Sequence, residues 1–170
     1  WNDTMEKEGE AFTKQFVAKP GCSEHETGLA IDLARAARNI DFIRPHLPYD
    51  GACGRFRALA AKYGFIQRYR AEKTAVTGIA CEPWHFRYVG APHAQLIEQN
   101  GLCLEEYAAF LREMGPQQCR LAGGRAAQVL YVPCENGHAR LPGGCVQVSG
   151  DNAGGFIATV WQAGARRCGA

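Results

Sequence analysis

The Gly115-Pro116 break constrains this chain most, because the hydrophobic pattern changes type across it. Before it, Leu104, Tyr107, Leu111 and Met114 recur at helical spacing, and Pro92 to Gln99 predicts a shorter helix closed by Asn100-Gly101. After it come short alternating runs, Gln128 to Val132 and Phe156 to Val160. They are set apart by the turn signals Asn136-Gly137, Pro142-Gly143-Gly144 and Gly150-Asp151-Asn152. The expected organisation is a core over residues 1–116 followed by a small all-β module over 117–170. With 170 residues, 46% of them apolar, the chain can bury one full-sized core and little more than a small second module.

Within the core, Trp1 to Ala18 predicts a helix with Met5, Phe12 and Phe16 on one side, ended by Lys19-Pro20-Gly21. Leu29, Ile31 and Leu33 alternate with Ala30 and Asp32, the period of a strand, so Asp32 is expected on the face away from the leucines. Gly51 to Tyr63 carries Cys53, Phe56, Leu59, Ala60 and Tyr63 at helical spacing, with Gly64 in the capping position. Phe65 to Tyr69 and Trp84 to Val89 are aromatic and β-branched, as strands are. The predicted class is α+β: helices packed on a small, mostly antiparallel sheet.

The formal charge of +2 comes from 19 basic and 17 acidic residues scattered along the chain, which gives no basic stripe and argues against a nucleic-acid partner. No run approaches the roughly 18 apolar residues of a membrane span. The chain opens on Trp1 inside a predicted helix, so further residues are expected upstream, where an export signal would stand. Eight cysteines (Cys22, Cys53, Cys81, Cys103, Cys119, Cys134, Cys145 and Cys168) include no C-x-x-C pair, which argues against a zinc ribbon or a thioredoxin-type motif. Disulfides and buried free thiols both remain open.

Two segments hold the chemistry: Ser23-Glu24-His25-Glu26-Thr27-Gly28-Leu29-Ala30-Ile31-Asp32 and Glu82-Pro83-Trp84-His85. A hydrolytic zinc site needs three protein ligands, an open position for water, and a further carboxylate to take the water's proton. His25, Asp32 and His85 supply the ligands and Glu82 the carboxylate. On a regular strand, a Glu three residues before His85 would face the other side of the sheet. Pro83 is expected to end the ladder and leave Glu82 in the preceding turn, leaning over the metal. His46, His93 and His138 have no partners at ligand-like spacing and are expected on the surface or in packing. Arg68 and Arg87, among strand aromatics, are expected in ion pairs or stacked on rings. Cys103 stands where an N-cap Ser or Thr belongs, at a cost of about 1 kcal/mol.

The pattern S-x-H-x-x-G-x-A-x-D followed by E-P-W-H-F-R-Y-V-G resembles the D-Ala-D-Ala carboxypeptidase family of zinc metallopeptidases, of the VanY and VanXY type found with vancomycin resistance. The resemblance spans about Trp1 to Met114. It implies Zn2+ on His25, Asp32 and His85, Glu82 as catalytic base, and Ser23 close to the substrate. It also implies D,D-carboxypeptidase action, with D,D-dipeptidase action a further possibility, on the terminal D-Ala-D-Ala of a peptidoglycan stem peptide or its precursor. The expected location is the bacterial cell envelope outside the cytoplasm, with the cytoplasm as the alternative. Relatives carry a second oxyanion donor, an arginine, upstream of the first helix; no Arg precedes Arg35 here, so that donor is expected outside these residues. Two other readings stand beside this one. A non-catalytic peptidoglycan-binding module could retain the metal. Two His and one Asp also describe the facial triad of an Fe(II) oxygenase, although Glu82 has no task there.

Overall fold

Gly9 divides the first expected helix in two. Its φ of 84° and ψ of 170° part α1 (Asn2–Glu8) from α2 (Glu10–Phe16), a conformation open to glycine. Val17 is already extended, so the helix stops before Ala18. The computed structural model describes residues 1–162. Its contacts form two compact units, Trp1–Gly90 and the residues from Ala91 onward. The expected boundary at 116/117 thus differs from this division: the two helices after Gly90 group with the later strands.

In the first unit, β1 (Ala30–Asp32), β2 (Phe65–Tyr69) and β3 (Glu82–Tyr88) form an antiparallel sheet in the order β1-β3-β2. Helix α3 (Gly51–Ala60) continues as a 3₁₀ turn, Ala61–Tyr63, and stops at Gly64, whose φ of 91° is the left-handed cap expected from the sequence. The short helix α4 (Thr74–Thr77) follows a 3₁₀ turn at Ala71–Lys73 and lies between β2 and β3. Leu47, Ala60, Trp84 and Phe86 form the buried cluster, with Phe16, Leu33, Cys53, Phe56 and Phe65 packed against it. Phe56 meets the ring of Phe86 edge-on at 4.9 Å between centroids.

One expectation about the strands is corrected, and pairing decides which side of β1 is covered. Ala30 and Asp32 share the face away from Leu29 and Ile31; Ala30 is 7% exposed, whereas Leu29 and Ile31 are 42% and 39% exposed. Register explains this, because Ala30 pairs with Arg87 and Asp32 with His85, which turns that face toward the polar side of the sheet. Glu82 does not lie in a turn before the strand; it is the first residue of β3, opposite Tyr69. The pairing passes from Gln67 opposite Phe86 to Tyr69 opposite Glu82, so β3 bulges outward around Pro83, Trp84 and His85. Within this irregular stretch, which includes a proline that has no N–H to donate, Glu82 and His85 come within 3.8 Å of each other despite their three-residue spacing.

Arg57 holds this irregular region from behind. Its guanidinium donates to the Pro83 carbonyl at 2.7 Å, the Leu47 carbonyl at 2.8 Å and Gln67 Oε1 at 2.7 Å, and lies 4.1 Å from the Tyr49 ring centroid. Carbonyls of the bulge and of the loop before α3 are thereby satisfied without a ladder.

The second unit contains α5 (Ala91–Gln99), α6 (Leu104–Met114) and a four-stranded antiparallel sheet. Its strands are β4 (Gln117–Arg120), β5 (Ala126–Pro133), β6 (Cys145–Gly150) and β7 (Gly155–Gln162), in the order β4-β5-β7-β6. The residues from 117 are β-rich as expected, but β4 and β6 carry too few large apolar residues to announce themselves. Cys103 is buried at the start of α6, and Glu106 reaches back to accept its N–H at 2.9 Å, which offsets the weak thiol cap. Of the eight cysteines, Cys168 and the side chain of Cys145 lie outside the described residues; the other six are free thiols. No helix among the described residues is long and apolar enough to cross a membrane.

Candidate metal centre and active site

The first motif is one turn leading into one strand. Ser23 precedes a 3₁₀ turn, Glu24–Thr27, and its Oγ accepts the His25 N–H at 3.4 Å. Thr27 Oγ1 donates to the Glu24 carbonyl and accepts the Leu29 N–H at 3.2 Å. Gly28, at φ 70°, ends the turn in the left-handed region and sends the chain directly into β1. His25 therefore sits at the end of the sheet where Asp32 emerges. Asp32 lies opposite His85 across the β1–β3 ladder, and residues directly opposite point to the same face.

These elements converge. Asp32 Oδ2 is 3.4 Å from His25 Nε2, and Asp32 Oδ1 is 3.0 Å from His85 Nδ1. One donor atom from each of the three residues lies within 4.8 Å of the others. Ligands about 2.0–2.2 Å from a tetrahedral zinc stand roughly 3.4 Å apart, so the carboxylate between two imidazoles fits such an ion after a small inward movement. Glu82 Oε2 is 3.8 Å from His85 Nδ1, beside the triad and outside it. The rings of His25 and His85 meet edge to face at 4.8 Å, and Tyr69 flanks His85 at 5.2 Å.

The charges are unequal by design of their surroundings. Burial pushes the Glu82 carboxyl up to about 7; His85 opposes this, while Asp32 and Glu24 add to it. Burial disfavours a charged His85, yet the carboxylates of Asp32 and Glu24 on its ring nitrogens outweigh that and raise it to about 9. Burial would likewise raise Glu24, but His85, Arg68 and Arg87 hold it at about 2. A permanently ionised carboxylate thus stands behind His85, and a carboxyl able to exchange a proton near neutrality stands in front.

A cleft opens on this front. Ser23, His25, Asp32, Glu82 and His85 line one part of it, and Phe16, Phe42, Ile43, Ile79 and Trp84 supply apolar walls. Phe42 is 88% exposed at its edge. Neither Arg35 nor Arg38 lines the cleft. Arg68 stacks 4.7 Å from the Tyr69 centroid, and Arg68 and Arg87 both meet Glu24, the ion-pair role expected from the sequence. Glu24 itself was hidden in the motif, since nothing in one sequence distinguishes it from the exposed Glu26. Of the remaining histidines, His46 and His138 are exposed, and His93 is packed in the second unit against Tyr107 and Thr159.

Several known proteins are similar to this chain. VanXYC of Enterococcus gallinarum, a bifunctional D-Ala-D-Ala dipeptidase and D-Ala-D-Ala carboxypeptidase, is 47% identical over 114 residues, 66% of this chain and 60% of that protein. A D-alanyl-D-alanine carboxypeptidase of Enterococcus faecium is 33% identical over 148 residues, 86% of this chain and 46% of its own length. The chain therefore spans about half to three-fifths of these curated relatives. Among solved structures, the vancomycin-resistance D,D-dipeptidase VanXYg in complex with a D-Ala-D-Ala phosphinate analogue superposes with a TM-score of 0.85. It is 43% identical, over 95% of this chain and 66% of that one. Residues 1–91 match the family model described as VanY, D-alanyl-D-alanine carboxypeptidase, and the chain belongs to that family.

Proposed function

We propose that this chain is the core of a zinc-dependent D,D-peptidase that hydrolyses the amide bond before a terminal D-alanine, with peptidoglycan stem peptides or their D-Ala-D-Ala-ended precursors as substrates. The observation that carries the reading is the convergence of His25, Asp32 and His85 beside Glu82 in a cleft with small apolar walls. The VanXYg relative supports the substrate class, because its bound D-Ala-D-Ala phosphinate analogue has a tetrahedral centre where a peptide has a planar carbonyl.

His25, Asp32 and His85 would hold the ion through Nε2, a carboxylate oxygen and Nδ1, the atoms that face one another. When bound, zinc supplies Lewis acidity toward a water and toward the substrate carbonyl. Glu82, partly desolvated and with a carboxyl near neutrality, accepts a proton from the attacking water. As the C–O bond forms and the C–N bond breaks, Glu82 Oε returns that proton to the departing amine nitrogen. Ser23, which lines the cleft beside His25, would hydrogen-bond the peptide. The apolar walls around Ile43, Ile79 and Trp84 suit the methyl side chains of alanine and exclude water from the reacting carbonyl.

The test pairs zinc content with D-alanine release from a D-Ala-D-Ala-ended peptide. Glu82→Gln should keep zinc and lose about a hundredfold or more in turnover, since an amide can hydrogen-bond water but not take its proton. Turnover near that of the unaltered protein would remove Glu82 from the base role. Zinc and peptide binding without any turnover, in a protein extended upstream to carry the second oxyanion donor, would leave a binding module instead.

A further inference from the structure

We infer that Glu24 is a positioning residue for the metal centre: its carboxylate, clamped by Arg68 and Arg87, holds the Nε2–H of His85 and so commits Nδ1 of that ring to the metal. The inference rests on the reading of His25, Asp32 and His85 as the metal triad and adds a fourth residue behind it.

The two faces of the His85 ring edge differ. Nδ1 looks into the cleft, 3.0 Å from Asp32 and 3.8 Å from Glu82. Nε2 looks the other way, 3.5 Å from Glu24 Oε2. Both Nε2 and Glu24 Oε2 are fully shielded from solvent, and neither makes a closed hydrogen bond to any other group among the described residues. A buried ring nitrogen and a buried carboxylate oxygen left facing each other are each satisfied if the proton sits on Nε2. The alternative tautomer, with the proton on Nδ1, would set two lone pairs against each other at Glu24 and block the metal-facing nitrogen.

Glu24 cannot turn away easily. Its Oε1 accepts from Arg68 Nε at 2.8 Å, and its Oε2 is 3.3 Å from Arg87 Nη1. The arginines come from β2 and β3, the two strands that set the bulge, while Glu24 belongs to the turn that also seats His25. One carboxylate therefore ties the orientation of His85 to the backbone that places His25. Partners of this kind, set behind metal-bound imidazoles, typically alter metal affinity by about 10- to 100-fold when removed.

The experiment uses zinc as the probe and measures its affinity by competition with a chromophoric chelator, in the unaltered protein and in Glu24→Gln, Glu24→Ala and His85→Ala. Nitrogen-15 NMR of the zinc-loaded unaltered protein reports which His85 nitrogen carries the proton, and circular dichroism confirms that each variant is folded. Glu24→Ala should bind zinc about 10- to 100-fold more weakly, and Glu24→Gln, which keeps an acceptor oxygen, should fall between it and the unaltered protein. A purely structural role for Glu24 would lower thermal stability in both variants and leave zinc affinity and the protonated nitrogen unchanged, which overturns the inference. Zinc binding through Nε2 in the unaltered protein overturns it as well, even if no variant folds. If His85→Ala keeps full affinity, the metal triad itself is wrong, a failure distinct from that of Glu24 alone.

Discussion

His93, in the second unit, offers a pH dependence that a single hydrogen-bonded ring carries. Its Nδ1 is 2.9 Å from the Tyr107 hydroxyl and its Nε2 is 3.0 Å from Thr159 Oγ1, so a neutral ring uses one nitrogen as donor and the other as acceptor. Tyr107 is 2% exposed and Thr159 2% exposed, and burial depresses the His93 pKa from 6.5 to about 4. The unfolded chain therefore binds more protons than the folded one between those values. The stabilisation is present above pH 6.5 and is lost as pH falls toward 4. The full difference of 2.5 units corresponds to about 3 kcal/mol, and about 2 kcal/mol of it should be gone at pH 5 relative to pH 7.5. Urea unfolding at the two pH values, followed by the fluorescence of Trp161 in β7, measures it. His93→Gln retains a donor and an acceptor but no titrating ring, so its stability should change about 2 kcal/mol less than that of the unaltered protein over this range. Equal pH dependence in the two proteins would show that His93 is solvated or already open in the folded state.

Two further substitutions probe the scaffold of the site. Arg57→Met removes the donors to the Pro83 and Leu47 carbonyls while keeping much of the stem, and should destabilise the first unit by about 2–4 kcal/mol in chemical denaturation; a loss under 1 kcal/mol would mean that water replaces the guanidinium. Gly54→Ala sets a methyl group against the Tyr49 carbonyl in the first turns of α3, an overlap that should cost about 1–3 kcal/mol, and an unchanged melting temperature would show that the loop before α3 yields freely.

The helices after Gly51, Ala91 and Leu104 were legible because each pairs a helical apolar spacing with a stop at Gly64, Asn100-Gly101 or Gly115. The nearness of His25 and Asp32 was legible because a turn closed by Gly28 and a three-residue strand bring the two side chains together through local geometry. What was not legible depends on pairing between distant segments. Nothing in Glu82-Pro83-Trp84-His85 states that the strand continues through the proline, since the bulge exists only relative to β2. Burial along β1 was not legible for the same reason: alternation shows that two faces differ, but the register with β3 decides what each one meets. Gly9 hides in a charged run where either a continuous helix or a break is possible.

Glu24 shows why the polar surroundings of a site are harder to read than its ligands. A ligand announces itself by residue type at a fixed spacing, whereas a carboxylate that orients a ligand is recognised only by what lies around it. Glu24 and Glu26 flank His25 equally in the sequence, yet only Glu24 turns inward to Arg68, Arg87 and His85. The 3₁₀ turn makes that choice, because two positions separated by one residue point in different directions around so tight a helix. The direction of a single turn thus sends one glutamate toward His85 and leaves the other in solvent.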